Sequence, residues 1–266
     1  MIVKTKYCLL ILAALPAFAN AQTCRIVSLT SDGYLTWTNS PTNLYCGLLY
    51  ARALDDCWSP ASGYWNYWTS NSQTTLQLPS GGMAFPQLYL RLVCATNPLS
   101  FSFPQFQVPF AGITVDGNSS DWSGIQPAVS DRAGDAQGPA GSDLTAIYIA
   151  RDTANAYVRI DVANGPPSSG LYFGVSFYTN ATSQAGDRYV FVNLRGFACS
   201  VEKRIAAGSG YHEFVASGAL AVQGNIIEAS VPLSALNPPS PSFVSAWDDT
   251  SGPSIDNTCM VEARFP

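Results

Sequence analysis

The sequence predicts an all-β protein: two antiparallel β-sandwich modules in tandem after a signal peptide. Three observations predict it. Apolar and polar residues alternate at period two in run after run; in residues 157–162, Val158, Ile160 and Val162 share one face. Clusters of Gly, Pro, Asn and Ser, such as residues 164–170, separate these runs, and no stretch carries a sustained helical stripe. A proline-rich, uncharged stretch at residues 95–111 divides two regions of different charge.

Composition narrows the function classes. The chain has 266 residues, 47% apolar and 12% aromatic, enough to build cores. The net charge is −5, with 13 basic against 18 acidic residues, so the basic footprint of a nucleic-acid binder is missing. The single histidine, His212, excludes multi-histidine zinc sites.

At the N-terminus, Lys4 and Lys6 precede the apolar run Cys8–Leu15, and Ala19-Asn20-Ala21 fits the small-x-small cleavage pattern. Residues 1–21 therefore read as a signal peptide cleaved after Ala21, and the protein as secreted, periplasmic or extracellular. The apolar run is too short to span a bilayer, and no later stretch is long enough, so no membrane span is expected. Six cysteines remain after cleavage, an even number that reads as disulfides in an exported chain.

Residues 22–97 form the first module. Strand-like runs cover residues 24–29, 33–38, 45–53, 74–78 and 89–94. So small a core is marginal, and bridges help such domains. Cys24 and Cys94 lie in its first and last runs, and Cys46 and Cys57 lie across what reads as one hairpin. Cys24–Cys94 with Cys46–Cys57 is the expected pairing, one of three connectivities open to four cysteines. Residues 98–107 read as a Pro-rich linker, since prolines so spaced disfavour helix. Residues 22–107 carry three basic and three acidic residues, whereas residues 108–266 carry 8 and 15.

Residues 108–266 form the second module. Strict alternation recurs in residues 157–162, 171–177, 189–194 and 226–231. Cys199 and Cys259 are its two cysteines and are expected to bridge each other, so that each module closes its own set.

Two resemblances follow from quoted residues. Asp32-Gly33-Tyr34-Leu35-Thr36-Trp37-Thr38-Asn39, residues 44–53 and Asp56-Cys57-Trp58 resemble a fibronectin type III-like module of exported bacterial proteins. Such modules are usually spacers or adhesive domains. Independently of that, Trp37 on an alternating run reads as core. In the second module, Ile113-Thr114-Val115-Asp116-Gly117 leads to Asp121-Trp122, then Asp131, Asp135, Asp143-Leu144, Asp152 and Ile227-Glu228-Ala229-Ser230-Val231-Pro232-Leu233. This order resembles family 9 carbohydrate-binding modules and the related DOMON-like sandwiches. The resemblance covers residues 112–266 and implies a β-sandwich that binds sugars or, in some branches, haem, with structural calcium in some members.

The residues can also be weighed for chemistry. Asp131, Asp135 and Asp143 sit in the least regular acidic stretch, where hard oxygen ligands on loops suit Ca²⁺. The competing reading is that the acidic residues cap turns; Asp116, Asp121 and Asp152 read as turn formers in any case. Sugar binding needs exposed aromatic faces beside polar groups. Trp247, Asp248 and Asp249 offer these on what reads as one loop, with Tyr172 and Tyr178 on the polar face of a neighbouring run. Trp65 and Trp68, in the cluster Tyr64-Trp65-Asn66-Tyr67-Trp68, form either an aromatic platform or a contact between modules. Haem would need axial ligands, for which only His212, Met83 and Met260 could serve. No G-x-S-x-G or HExxH motif occurs, and Asp248 and Asp249 would face apart in a strand, so no enzyme is expected. The expectation is a secreted, non-catalytic glycan-binding protein. The alternative is a structural or adhesive surface protein without a sugar ligand.

Overall fold

The computed structural model of the protein describes residues 25–30, 34–38, 45–51, 59–60, 73–77, 89–95, 103–134, 136, 138–139, 141–179, 185–206, 211–249 and 256–266. The expected signal peptide lies outside them. The chain divides into two compact units, Met1–Ser102 and Phe103–Pro266.

The first unit carries β1 (Arg25–Leu29), β2 (Tyr34–Thr38), β3 (Tyr45–Ala51), β4 (Ser59–Pro60), β5 (Gln73–Gln77) and β6 (Tyr89–Ala95). They pair antiparallel as two three-stranded sheets, β1-β2-β5 and β4-β3-β6. Leu35 and Trp37 on β2 are fully buried, so Trp37 is a core residue. In the β3–β6 pair the backbone register sets Cys46 directly opposite Cys94. Cys24 and Cys57, and the Cys46 and Cys94 side chains, lie outside what is described.

The second unit is one twelve-stranded, curled sheet. In chain order it carries β7 (Gln105–Gln107), β8 (Val129–Ser130), β9 (Asp143–Arg151), β10 (Asn155–Ala163), β11 (Tyr172–Tyr178) and β12 (Arg188–Asn193). Then come β13 (Ala198–Arg204), β14 (His212–Gln223), β15 (Ile226–Pro232), a single helical turn α1 (Leu233–Leu236), β16 (Ser242–Asp249), β17 (Asp256–Asn257) and β18 (Val261–Arg264). The order is β7-β18-β16-β11-β12-β13-β14-β15-β10-β9-β8, with β17 added on β16. The β18–β7 pair is parallel.

The curl makes the sheet a sandwich. One layer contributes Phe173, Val175 and Phe177 of β11, Val190 and Val192 of β12, and Val244 and Ala246 of β16 to the core. The other contributes Ile147 and Ile149 of β9, Val158, Ile160 and Val162 of β10, and Ile227, Ala229 and Val231 of β15. Those on β10, β11, β12 and β15 are the alternating positions that the sequence marks, and each Val, Ile or Phe among them is worth about 1.5–3 kcal/mol on full burial. Strand β14 belongs to both layers: Cys199–Arg204 of β13 pair with its first half, and Ile226–Ser230 of β15 with its second. Gly218 stands at this crossing, where a Cβ would lie 2.3 Å from the Ser230 carbonyl oxygen.

Three expectations change. The proline-rich stretch is not a free linker through residue 107. Gln105–Gln107 form β7, with Pro104 and Pro109 just outside it, where an edge strand tolerates a missing N–H. Trp247, Asp248 and Asp249 end a strand, Ser242–Asp249, and do not form a loop. The Cys199–Cys259 bridge is not formed. Cys199 points inward from β13 as a buried free thiol whose pKa burial pushes up to about 12, while Cys259 is disulfide-bonded.

Residues 113–122, where the second resemblance begins, cover the outer surface of the β9–β10–β15 layer. Ile113 and Trp122 pack with Ala150 and Tyr157. Fully buried Glu228 ties the segment down: its carboxylate accepts hydrogen bonds from Trp122 Nε1 (2.8 Å), Asp116 N (3.1 Å) and Gly117 N (2.8 Å). Gly117 has φ +83°, which glycine adopts without strain.

Candidate functional site

The outward face of the β16–β11–β12 sheet carries four of the expected sugar-contacting residues, Trp247, Asp249, Tyr172 and Tyr178. On β11 the odd-numbered Phe173, Val175 and Phe177 point into the core, so Tyr172, Gly174, Ser176 and Tyr178 lie on the opposite face. On β16 the same alternation sends Val244, Ala246 and Asp248 inward and Ser245, Trp247 and Asp249 outward. Register places Gly174 between Trp247 on one side and Phe191 of β12 on the other.

These neighbours build an aromatic tier. Trp247 and Phe191 have ring centroids 6.2 Å apart, tilted by 42°. Phe191 and Tyr172 stack at 5.7 Å and 17°. All three are half-buried. The Trp247 indole covers Gly174 and donates from Nε1 to Ser176 Oγ at 3.3 Å. Polar groups border the tier. Register sets Asp249 and Asn193 on either side of Tyr172, and Ser200 opposite Phe191. An aromatic floor with hydroxyl, amide and carboxylate groups along its edges can stack on the C–H face of a ring and bond its hydroxyls.

The same face continues into a more closed cluster. His212 lies against Tyr189 at 4.4 Å, with Nδ1 3.5 Å from Glu202 Oε2. Arg204 sits over the Tyr189 ring at 5.1 Å and donates to its hydroxyl. Burial raises the Tyr189 and Tyr178 phenols above their ordinary range. Tyr178 packs with Phe103, Phe243 and Met260, so it supports the face rather than lining the tier.

Of the expected sugar-contacting residues, Trp247, Tyr172 and Asp249 therefore share the tier. Tyr178 lies beside it on the same face. Asp248 is on the core side, fully buried, because the segment is a strand. Trp65 and Trp68 lie outside the described residues. Phe191, Ser176 and Gly174 were not anticipated. A glycine inside the alternating run Leu171–Phe177 was the available signal, since glycine in a strand often marks a close approach.

The acidic stretch is held by backbone donors. Asp116 Oδ1 accepts from Asn118 N, Asp121 Oδ2 from Thr114 N, and Asp152 Oδ1 from Ala154 N and Asn155 N. Asp116 and Asp152 are turn formers, as the sequence suggests, whereas Asp121 holds Thr114 seven residues earlier. Of the expected calcium ligands, Asp131 Oδ1 accepts from Arg132 N, and Asp143 Oδ2 from Gly134 N and Asn164 Nδ2. Asp135 lies outside the described residues. Among the described residues, no three His, Cys, Asp or Glu side chains are grouped to hold a metal ion. Of the haem candidates, His212 is packed on Tyr189 and Met260 is buried beside Phe243, while Met83 lies outside the described residues.

No family model and no curated protein matches the chain. Among the described residues no helix is long and apolar enough to cross a membrane.

Proposed function

We propose that this is an exported, non-catalytic carbohydrate-binding protein that takes its glycan on the outward face of β16, β11 and β12. The observation that carries the reading is the tier of Trp247, Phe191 and Tyr172, half-buried on a sheet face and edged by Asp249, Asn193 and Ser200. Aromatic rings held on a rigid sheet meet a pyranose without the entropy loss of ordering a loop. The test is a glycan array probed with the purified full chain, with and without Ca²⁺. Binding that Trp247→Ala abolishes supports the reading; silence across plant, algal and bacterial glycans overturns it.

A second reading, adhesion to another protein, is favoured by one group of residues. Ile205, Tyr211 and Phe214, near the β13–β14 connection, are all exposed apolar side chains. Pull-down of a protein partner that Phe214→Ser disrupts, with no glycan bound, selects that reading.

A further inference from the structure

We infer that Gly174 is the positioning residue of the aromatic tier. Its missing side chain lets the Trp247 indole lean across onto β11, so that the face accepts an uncharged pyranose lying against the sheet. The inference rests on the carbohydrate reading and deepens it.

A strand interior is a poor place for glycine, which is entropically costly there and packs nothing. The backbone does not call for it, because Gly174 is not among the residues with positive φ. What calls for it is the indole. A Cβ on Gly174 would lie 2.3 Å from Trp247 Cε2 and Cζ2 and 2.7 Å from Nε1. Those contacts are with a ring, not with the flexible end of a long side chain.

Side chains on a strand ordinarily stand roughly perpendicular to the sheet. Trp247 instead reaches over its neighbour, where Ser176 Oγ receives its Nε1 at 3.3 Å and Phe191 flanks it at 6.2 Å. One face of the indole is thereby set against the sheet, and Trp247 keeps part of its surface exposed. Register places the Asp249 carboxylate beside Tyr172 and Glu202 opposite Tyr189, the latter with His212 Nδ1 at 3.5 Å. Arg204 stays cationic beside the neutral Tyr189 phenol, four residues along β13 from Ser200, which stands opposite Phe191 of the tier. A carboxylated sugar stacked on Tyr172 would meet the Asp249 carboxylate, so this end of the face favours uncharged sugars.

The test uses the full chain and calorimetry with four probes: cellohexaose, xylohexaose, mannohexaose and hexagalacturonate. The expected result is binding to at least one uncharged hexasaccharide and none to hexagalacturonate. Gly174→Ala is expected to weaken that binding at least tenfold and to raise acrylamide quenching of Trp247, read as the difference from Trp247→Phe. Far-ultraviolet dichroism should stay unchanged. Ser176→Ala, which removes the indole's acceptor without adding volume, should raise quenching and weaken binding several-fold; it decides the matter if Gly174→Ala fails to fold. Wild-type binding in both variants overturns the inference and leaves the carbohydrate reading standing, as does a preference for hexagalacturonate. Failure of the wild type to bind any of the four, or any arrayed glycan, overturns the carbohydrate reading itself and this inference with it.

Discussion

Glu228 shows how much one side chain can hold. It is an acid with no exposed surface, satisfied by an indole N–H and two backbone N–H groups from a segment more than 100 residues away in sequence. Glu228→Ala would leave these three donors without their acceptor. At about 1–3 kcal/mol per buried unsatisfied group, a loss of roughly 3 kcal/mol or more is expected. Urea unfolding of the variant reads this directly, and Trp122 emission should shift with it. Asp152 gives a pH dependence. Its pKa is lowered chiefly by the Tyr157 hydroxyl, which donates to Oδ2 at 2.6 Å, and then by the Asn155 and Ala154 N–H groups. A carboxylate depressed in the folded state stabilises above its unfolded value, here about 3.8, and that contribution is lost as pH falls through the folded value. The gap in melting temperature between wild type and Asp152→Asn should therefore be constant near neutrality and close as pH falls below 3.8. A gap independent of pH would show that the Asp152 charge does not matter.

At the level of elements, backbone register offers a second guide to covalent pairing beside sequence spacing. Opposed residues of an antiparallel pair have Cα atoms about 4.5–5.5 Å apart, within the range that a disulfide spans. With Cys46 opposite Cys94, non-reducing peptide mapping is expected to recover these two joined. A Cys46–Cys57 or Cys24–Cys94 peptide would restore the pairing expected from spacing. The strands that the sequence revealed are those buried on one face: β10, β11, β12 and β15 alternate because the core demands it. Strand β14 was hidden because none of its twelve residues is fully buried; it turns the corner between layers and alternates for neither. Strand β16 was missed because its run ends in Trp247-Asp248-Asp249, which reads as polar loop. That error put Asp248 among the sugar-contacting residues, although the alternation of a strand sends it into the core. The aromatic tier was half legible for the same reason: Tyr172, Trp247 and Asp249 carry sugar-binding chemistry in their types, but Gly174 and Phe191 join them only through register.

For the whole molecule, the boundary between units decides what can be studied alone. A fragment beginning at residue 108 loses β7 and Phe103, whose ring meets Phe243 edge-on at 5.4 Å. A fragment beginning at residue 103 keeps both. The longer fragment is expected to be more stable by about 2 kcal/mol, from the lost aromatic pair and apolar burial together. Equal melting curves for the two would return residues 103–107 to the status of a linker.

The parallel pairing of β7 with β18 also fixes how the second unit carries load. Its first strand and its last lie side by side and run the same way, with Gln105 opposite Glu262 and Gln107 opposite Arg264. Tension applied through residues 103 and 266 pulls the two strands along their length in opposite directions. Their hydrogen bonds are then strained together in shear, instead of being peeled apart one at a time. A pull applied between residue 103 and the Leu194–Phe197 turn would not load that pair in the same way. The unit should accordingly yield at a higher force when drawn by its two ends than when drawn from residue 103 and that turn, so the strand that reads as a linker becomes the clamp.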